Sequence, residues 1–326
     1  MCNQIQENET TSVRLTTNLR EKELWLLVLL GVLYFYRPLF MGETFYERDL
    51  YLHFFLRKQL LVGFINSREL PLWNPYLHGG QTYIAELSNS ALYPSNLLFL
   101  FLPLIKAFNA NIVLHFIGCS VFTYLLSRTI GLRPVSSFIA GIIYGFCGYT
   151  LSLGNLLGFL MTMPYLPLLL LFWHLYLLEG KKRWFITTVI AGVFQVFGGA
   201  PETNVLSLLF LLGWTLCYPY LSLSLWRKGI TWVLLGVCIV GMASIQIFPT
   251  VEMILHSSRG QGLNFASISG WSLYPERLPE LLLPGFLGYQ ISADMPKEAY
   301  WWGTKLFDEP RPYIFSIYFG CMTMFL

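Results

Sequence analysis

One stretch of this chain, Glu43 to Pro103, holds most of the residues that can do chemistry. Asp49 and Glu86 are carboxylates that can take a proton from a hydroxyl. Arg48, Arg57 and Lys58 are cations of the kind that steady a departing phosphate, and Arg259, much further along, is another. Trp73 and Tyr76 offer faces for a sugar or a lipid, and Gly79-Gly80 lets the backbone turn tightly or approach a ligand closely. His53 follows Asp49 by four positions, which on a helix puts both on one face and suits a metal pair. One pair without further ligands assigns no metal site, so the cofactor stays unknown, with a divalent cation allowed. Each residue also has a plainer reading. Arg48 and Asp49 as an exposed ion pair are worth little, and a loop acid is most often simply solvated.

The composition says what must hold these residues. The 326 residues are 55% hydrophobic and 12% charged, about half the roughly 25% of a soluble domain. The net charge of +3, with no basic stripe, excludes nucleic acid as the expected partner. Cys119, Cys147, Cys217, Cys238 and Cys321 lie in apolar runs without metal or disulfide spacing and read as packing residues. Apolar runs long enough to approach the ~20 residues of a membrane helix occur at Leu24–Phe40, Asn111–Ile130, Val135–Leu153, Leu156–Leu178, Trp184–Gly199, Val205–Trp226 and Ile230–Pro249. An eighth begins near Tyr313 and is cut off at Leu326, the pattern of a fragment of a longer protein. The expected fold is therefore all-α, a polytopic transmembrane bundle over residues 24–326, preceded by a cytoplasmic tail at 1–23.

Lys and Arg set the orientation. Arg128, Arg133, Lys181, Lys182, Arg183, Arg227 and Lys228 fall in alternate short loops, and Arg14, Arg20 and Lys22 on the tail agree. The lipid bilayer is thus one partner, and the long loops 43–108 and 256–311 are placed outside it, in an expected cytoplasmic-membrane location. In the first loop, Tyr46–Ile65 has the spacing of an amphipathic interfacial helix. Pro71 and Pro75 break the next segment, and Ala91–Pro103 reads as a re-entrant or interfacial helix. In the second, Pro275–Leu283 reads as another interfacial helix, with Tyr300, Trp301 and Trp302 as stacking or anchoring rings. Glu202, an acid in an otherwise apolar turn near membrane depth, is expected to have a partner.

The text Arg48-Asp49-Leu50-Tyr51, Glu69-Leu70-Pro71-Leu72-Trp73-Asn74-Pro75-Tyr76, Gly79-Gly80, Ser90-Ala91-Leu92-Tyr93-Pro94-Ser95-Asn96-Leu97-Leu98 and Gly198-Gly199-Ala200-Pro201-Glu202 resembles the YfhO family of bacterial polytopic membrane proteins, in the GT-C glycosyltransferase superfamily. The resemblance implies a GT-C-like fold and a transferase working at the outer leaflet. Its donor would be a polyprenyl-phosphate-linked sugar, and its acceptor an envelope glycopolymer or glycolipid. It also implies that Asp49 is the catalytic acid of the first loop and that Glu86 stands where relatives carry an acid or amide before the LYP segment. Arg48, Arg57, Lys58, Trp73, Tyr76, Gly79, Gly80, Tyr93, Glu202 and Arg259 then form the substrate-binding set.

Two other functions compete. A transporter or flippase would show ionisable or broken-helix signals inside the spans, whereas here the spans are nearly free of charge and the acids gather toward the loops. An accessory membrane protein of envelope assembly would tolerate loss of Asp49.

Overall fold

The computed structural model describes residues 20–46, 49–77, 79–217, 224–262, 264–265, 269, 272–288 and 313–319. Glu47, Arg48, His78 and Tyr300–Trp302 lie outside these, as does the chain beyond Phe319, so the expectations placed on them are not addressed.

Helix α1 (Lys22–Tyr34) ends one residue before α2 (Tyr36–Phe40). Pro38 explains the break, because it has no N–H to give Tyr34 oxygen four residues back. The long loop begins with a π-helical turn, Leu50–Phe55, that runs into α3 (Leu56–Ser67). A two-residue antiparallel hairpin follows, β1 (Trp73–Asn74) on β2 (Gln81–Thr82), with Trp73 opposite Thr82. Gly79 and Gly80 turn it, at φ +77° and +113°. After 3₁₀ turns at Leu87–Asn89 and Pro94–Leu97, the short α4 (Leu98–Phe101) leads into α5 (Leu104–Thr129).

The remaining described helices are α6 (Pro134–Phe146), α7 (Gly148–Ser152), α8 (Leu157–Thr162), α9 (Tyr165–Glu179), α10 (Lys182–Phe197), α11 (Pro201–Cys217), α12 (Leu225–Met242) and α13 (Ser244–Leu255). Of these, α6, α8 and α9 pack on α5, and α9 shares a second core with α10, α11 and α12. Gly141 and Gly145 bring α6 against α5. A Cβ on Gly145 would sit 1.9 Å from Ser120 Oγ, so no larger residue fits this crossing. The start of α1 is tied to the end of α5 by Glu21, which accepts from Arg128 Nε (2.7 Å), Arg128 Nη2 (2.6 Å) and Tyr124 OH. The Arg128 guanidinium holds the Glu21 carboxyl below its ordinary pKa.

Among the described residues three helical stretches are long and apolar enough to cross a membrane: Leu104–Thr129, Pro134–Asn155 and Leu157–Glu179. A fourth exists if α12 and α13, bent by 79° at Ala243, count as one. The sequence suggested seven. The difference comes from length: α1, α10 and α11 have 13, 16 and 17 residues. Apolar faces nevertheless remain uncovered on α11 (Val205, Leu209, Phe210) and α12 (Val233, Val237, Val240), a surface that suits lipid better than water.

Other sequence expectations change in detail. The Ile230–Pro249 run is two helices at an angle, because α13 swings over to the long loop: Gln246 Nε2 and Thr250 Oγ1 donate to Ile84 O (2.6 Å) and Ala85 O (2.7 Å). The expected helix at Pro275–Leu283 is 3₁₀, Pro275–Leu281, with prolines at its first position and inside it. Tyr313–Phe319, the expected start of an eighth span, is bent and extended, and its Tyr318 oxygen accepts from Gly148 N–H.

Candidate functional site

Helix α3 presents Arg57 and Lys58 side by side, and adjacent helical positions point about 100° apart. The two cations therefore meet different surroundings. Lys58 turns inward, 1% exposed, and donates to Asn89 O (3.0 Å) and Asn96 Oδ1 (2.8 Å). Burial pushes its ammonium down to about 7. Arg57 turns toward Glu86, with Nη2 2.7 Å from Oε1, while its Nη1 donates to His53 O (3.2 Å).

Glu86 is the hub. Besides Arg57 it accepts from Ser88 Oγ (2.9 Å) and Gln81 Nε2 (2.8 Å). Since Ser88 gives its only proton to Glu86, its oxygen is left to accept from His53 Nε2, 3.2 Å away. That fixes the Nε2–H tautomer and leaves Nδ1 as the acceptor. Burial lowers the His53 pKa, the Arg57 charge lowers it further, and the carboxylates of Glu86 and Asp49 oppose both. His53 thus stands within electrostatic reach of both acids. Asp49 itself, at the N-terminal edge of the π-turn, makes no hydrogen bond or ion pair among the described residues.

A ring of buried amides sets this cluster. Asn89 Nδ2 donates to Tyr83 O (2.6 Å), and Asn96 Nδ2 to Ser90 O (2.6 Å) and Ala91 O (3.1 Å). Tyr83 OH donates to Arg57 O (2.8 Å), and burial raises its phenol well above the ordinary value. The loop is then fastened from behind. Ser90 Oγ donates to Gly198 O (3.0 Å), and Gly199, at φ +94°, lies so close that a Cβ would be 2.3 Å from Leu87 O. Only glycine meets both conditions.

On the outer side of α3 a cleft of about 520 Å³ opens between the helix and the hairpin. Leu52, Leu56 and Leu60, four residues apart, form an apolar wall, with Arg57, Asn74 and Tyr76 around it. Arg57 Nε is buried and without a hydrogen-bond partner among the described residues, a spare donor in a side chain that lines this cleft. The arrangement suits an amphiphile with an anionic group. Among the described residues no three His, Cys, Asp or Glu side chains gather closely enough to hold a metal ion. The Arg57 guanidinium is a cation on the cleft wall.

The structure thus brings together Arg57, Glu86 and Tyr76 from the sequence-based set. Gly79 and Gly80 act through the backbone, and Trp73 packs flat on Gly80, where a Cβ would be 2.5 Å from its ring. Lys58 is sealed in and does not face the cleft. Tyr93 is 3% exposed, its OH 2.7 Å from His115 Nε2 and 2.9 Å from Met161 O, and it lies away from the Arg57 cleft, on the wall of a separate cavity of about 630 Å³. Glu202 is exposed in the first turn of α11, where the helix N-terminus accommodates an acid, and it has no ion pair among the described residues. Its expected partner is not seen. Arg259 is exposed, and its backbone bonds stay within Ser257–Gly262. Sequence reasoning missed Gln81, Ser88, Asn89 and Asn96. The signal was a run of small polar residues, Ser88 to Ser90 and Ser95-Asn96, in an otherwise apolar setting.

No family model, curated protein or solved structure matches this chain. Its function has to be argued from the geometry above and from the sequence resemblance.

Proposed function

We propose that the chain is a membrane glycosyltransferase of GT-C type. It takes a sugar from a polyprenyl-phosphate donor and passes it to an envelope acceptor at the outer leaflet. Seven spans with a cytoplasmic N-terminus and both long loops outside complete this reading. The observation that carries it is the convergence of the segments behind the YfhO resemblance: Leu87–Asn96 packs on Gly198-Gly199, behind a cleft that pairs an apolar wall with Arg57.

The chemistry follows from the residues. Asp49, whose carboxylate has no hydrogen bond or ion pair among the described residues, takes the proton of the acceptor hydroxyl. The hydroxyl oxygen bonds to the sugar C1 as the bond from C1 to the phosphate oxygen breaks. The phosphate leaves with the bonding pair, its charge met by Arg57. Glu86 holds Arg57 in place, and the leucine wall receives the first isoprene units. In reconstituted membranes the full chain should transfer hexose from a polyprenyl-phosphate donor, and Asp49→Asn should lower the rate about 100-fold. Transfer unaffected by that substitution would remove Asp49 from the reaction.

The 79° bend between α12 and α13 favours a second reading, transport of a lipid-linked substrate, since broken helices mark many transporters. Flipping of a fluorescent lipid-linked sugar without any transfer would select it.

A further inference from the structure

A second cavity lies on the other side of the Leu50–Phe55 turn. It is about 280 Å³, the size of a single ring, and is bordered by Tyr34, Phe35, Phe45, Tyr46, Phe116 and Asn155. Leu50, next to Asp49, forms part of the same wall. Leu52 and Leu56, by contrast, face the Arg57 cleft. One helical turn therefore separates the two spaces, with Asp49 at its start.

Asn155 is the unusual member. It is 5% exposed, and neither its Nδ2 nor its Oδ1 has a hydrogen-bond partner among the described residues. A buried amide with both ends idle is costly, and packing does not require one here. The terminal torsion of asparagine is soft, so a small turn aims a donor and an acceptor into the adjoining cavity. Ser152, also on the wall, is fully occupied, bonded to Gly148 O (2.7 Å), Ser316 O (3.3 Å) and Ser316 N (2.9 Å). Among the described residues no charged side chain lines the cavity.

We infer that this cavity binds one neutral pyranose ring, held between aromatic faces with two of its hydroxyls on the Asn155 amide. A hydroxyl both donates and accepts, which matches an amide offering one of each. The C–H faces of a sugar match aromatic walls, and the described lining offers no cation to a phosphate. The inference rests on the transferase reading for its biological sense and gives the two spaces separate tasks: phosphate and lipid at Arg57, sugar at Asn155.

The test titrates methyl glycosides of common hexoses, and separately farnesyl phosphate, onto the full chain in nanodiscs by saturation-transfer NMR. Asn155→Leu should keep or raise the melting temperature, because it removes two idle polar atoms. It should weaken binding of the preferred glycoside at least tenfold and leave farnesyl phosphate binding unchanged. Phe45→Ala, which removes one of the lining rings, should also weaken the glycoside. Absence of any glycoside signal at about 100 mM, a concentration at which even a millimolar site is filled, overturns the inference, as does binding indifferent to both substitutions. Asn155-dependent binding without sugar transfer keeps the site and sinks the transferase reading. Transfer with unchanged kcat and KM in Asn155→Leu does the reverse.

Discussion

The two long loops are written in the same style, rich in proline, aromatics and acids, yet their described parts are held in different ways. The first is fastened at many points. Lys58, Asn89 and Asn96 are buried within it, α13 grips it through Gln246 and Thr250, and Gly198-Gly199 closes it from behind. In the described part of the second, Phe265 and Leu273 are exposed, Arg259 faces solvent, and one buried pair, Arg277–Glu280 at 2.7 Å, ties the 3₁₀ turn to Ile314 O. A shared vocabulary of residues does not make a site. The contacts that arrive from distant parts of the chain do.

The strongest way to break this contrast is Gly199→Ala. The left-handed backbone and the contact with Leu87 O should together cost about 3 kcal/mol, seen as a lower melting temperature and faster proteolysis within Leu87–Asn96. Glu86→Gln comes next. It weakens the largely buried pair with Arg57 and should cost about 2 kcal/mol. Pairing it with Arg57→Gln should recover part of the loss, because the two share one interaction. A double variant that is merely additive would deny the coupling.

Lys58 sharpens the comparison through pH. Its pKa is near 7 folded and near 10.4 in an unfolded chain. Between these values the unfolded state binds more protons, so this group makes stability rise as pH increases from about 7 to about 10. Urea unfolding across that window should show the slope in the native chain and lose it in Lys58→Met, which is also expected to lower stability by about 1–3 kcal/mol by stranding Asn89 O and Asn96 Oδ1. The smallest effect belongs to the exposed residues. Arg259→Ala and Glu202→Gln should each stay within about 0.5 kcal/mol, and a large loss from either would mean that the second loop or the α11 start has a role not visible in its contacts.

Much of this was legible in the sequence. Hydropathy marked where the helices lie, Gly79-Gly80 marked a turn, and the Glu43–Pro103 stretch stood out for its acids, bases and aromatics. Helix ends and breaks were less visible: Pro38 signalled the break at Phe35, but Ala243 breaks its helix through context and is not itself a helix breaker. The fate of Lys58 was not legible either. Periodicity put it among the polar residues of an interfacial helix, and only the partners Asn89 and Asn96, some thirty to forty positions on, bring it inside. Glu202 failed in the opposite sense, since its apolar neighbours in sequence are not its neighbours in space. Asn155 gave no signal at all, being one amide in a glycine-rich turn.

The central claim is that the first loop carries a transferase site in which Asp49 is the base and Glu86 the support. Measuring sugar transfer and melting temperature side by side for Asp49→Asn and Glu86→Gln tests it most directly. Asp49→Asn should lose transfer about 100-fold with its melting temperature unchanged, while Glu86→Gln should lose stability as well as rate. The reverse pattern, or full transfer by Asp49→Asn, would contradict the account.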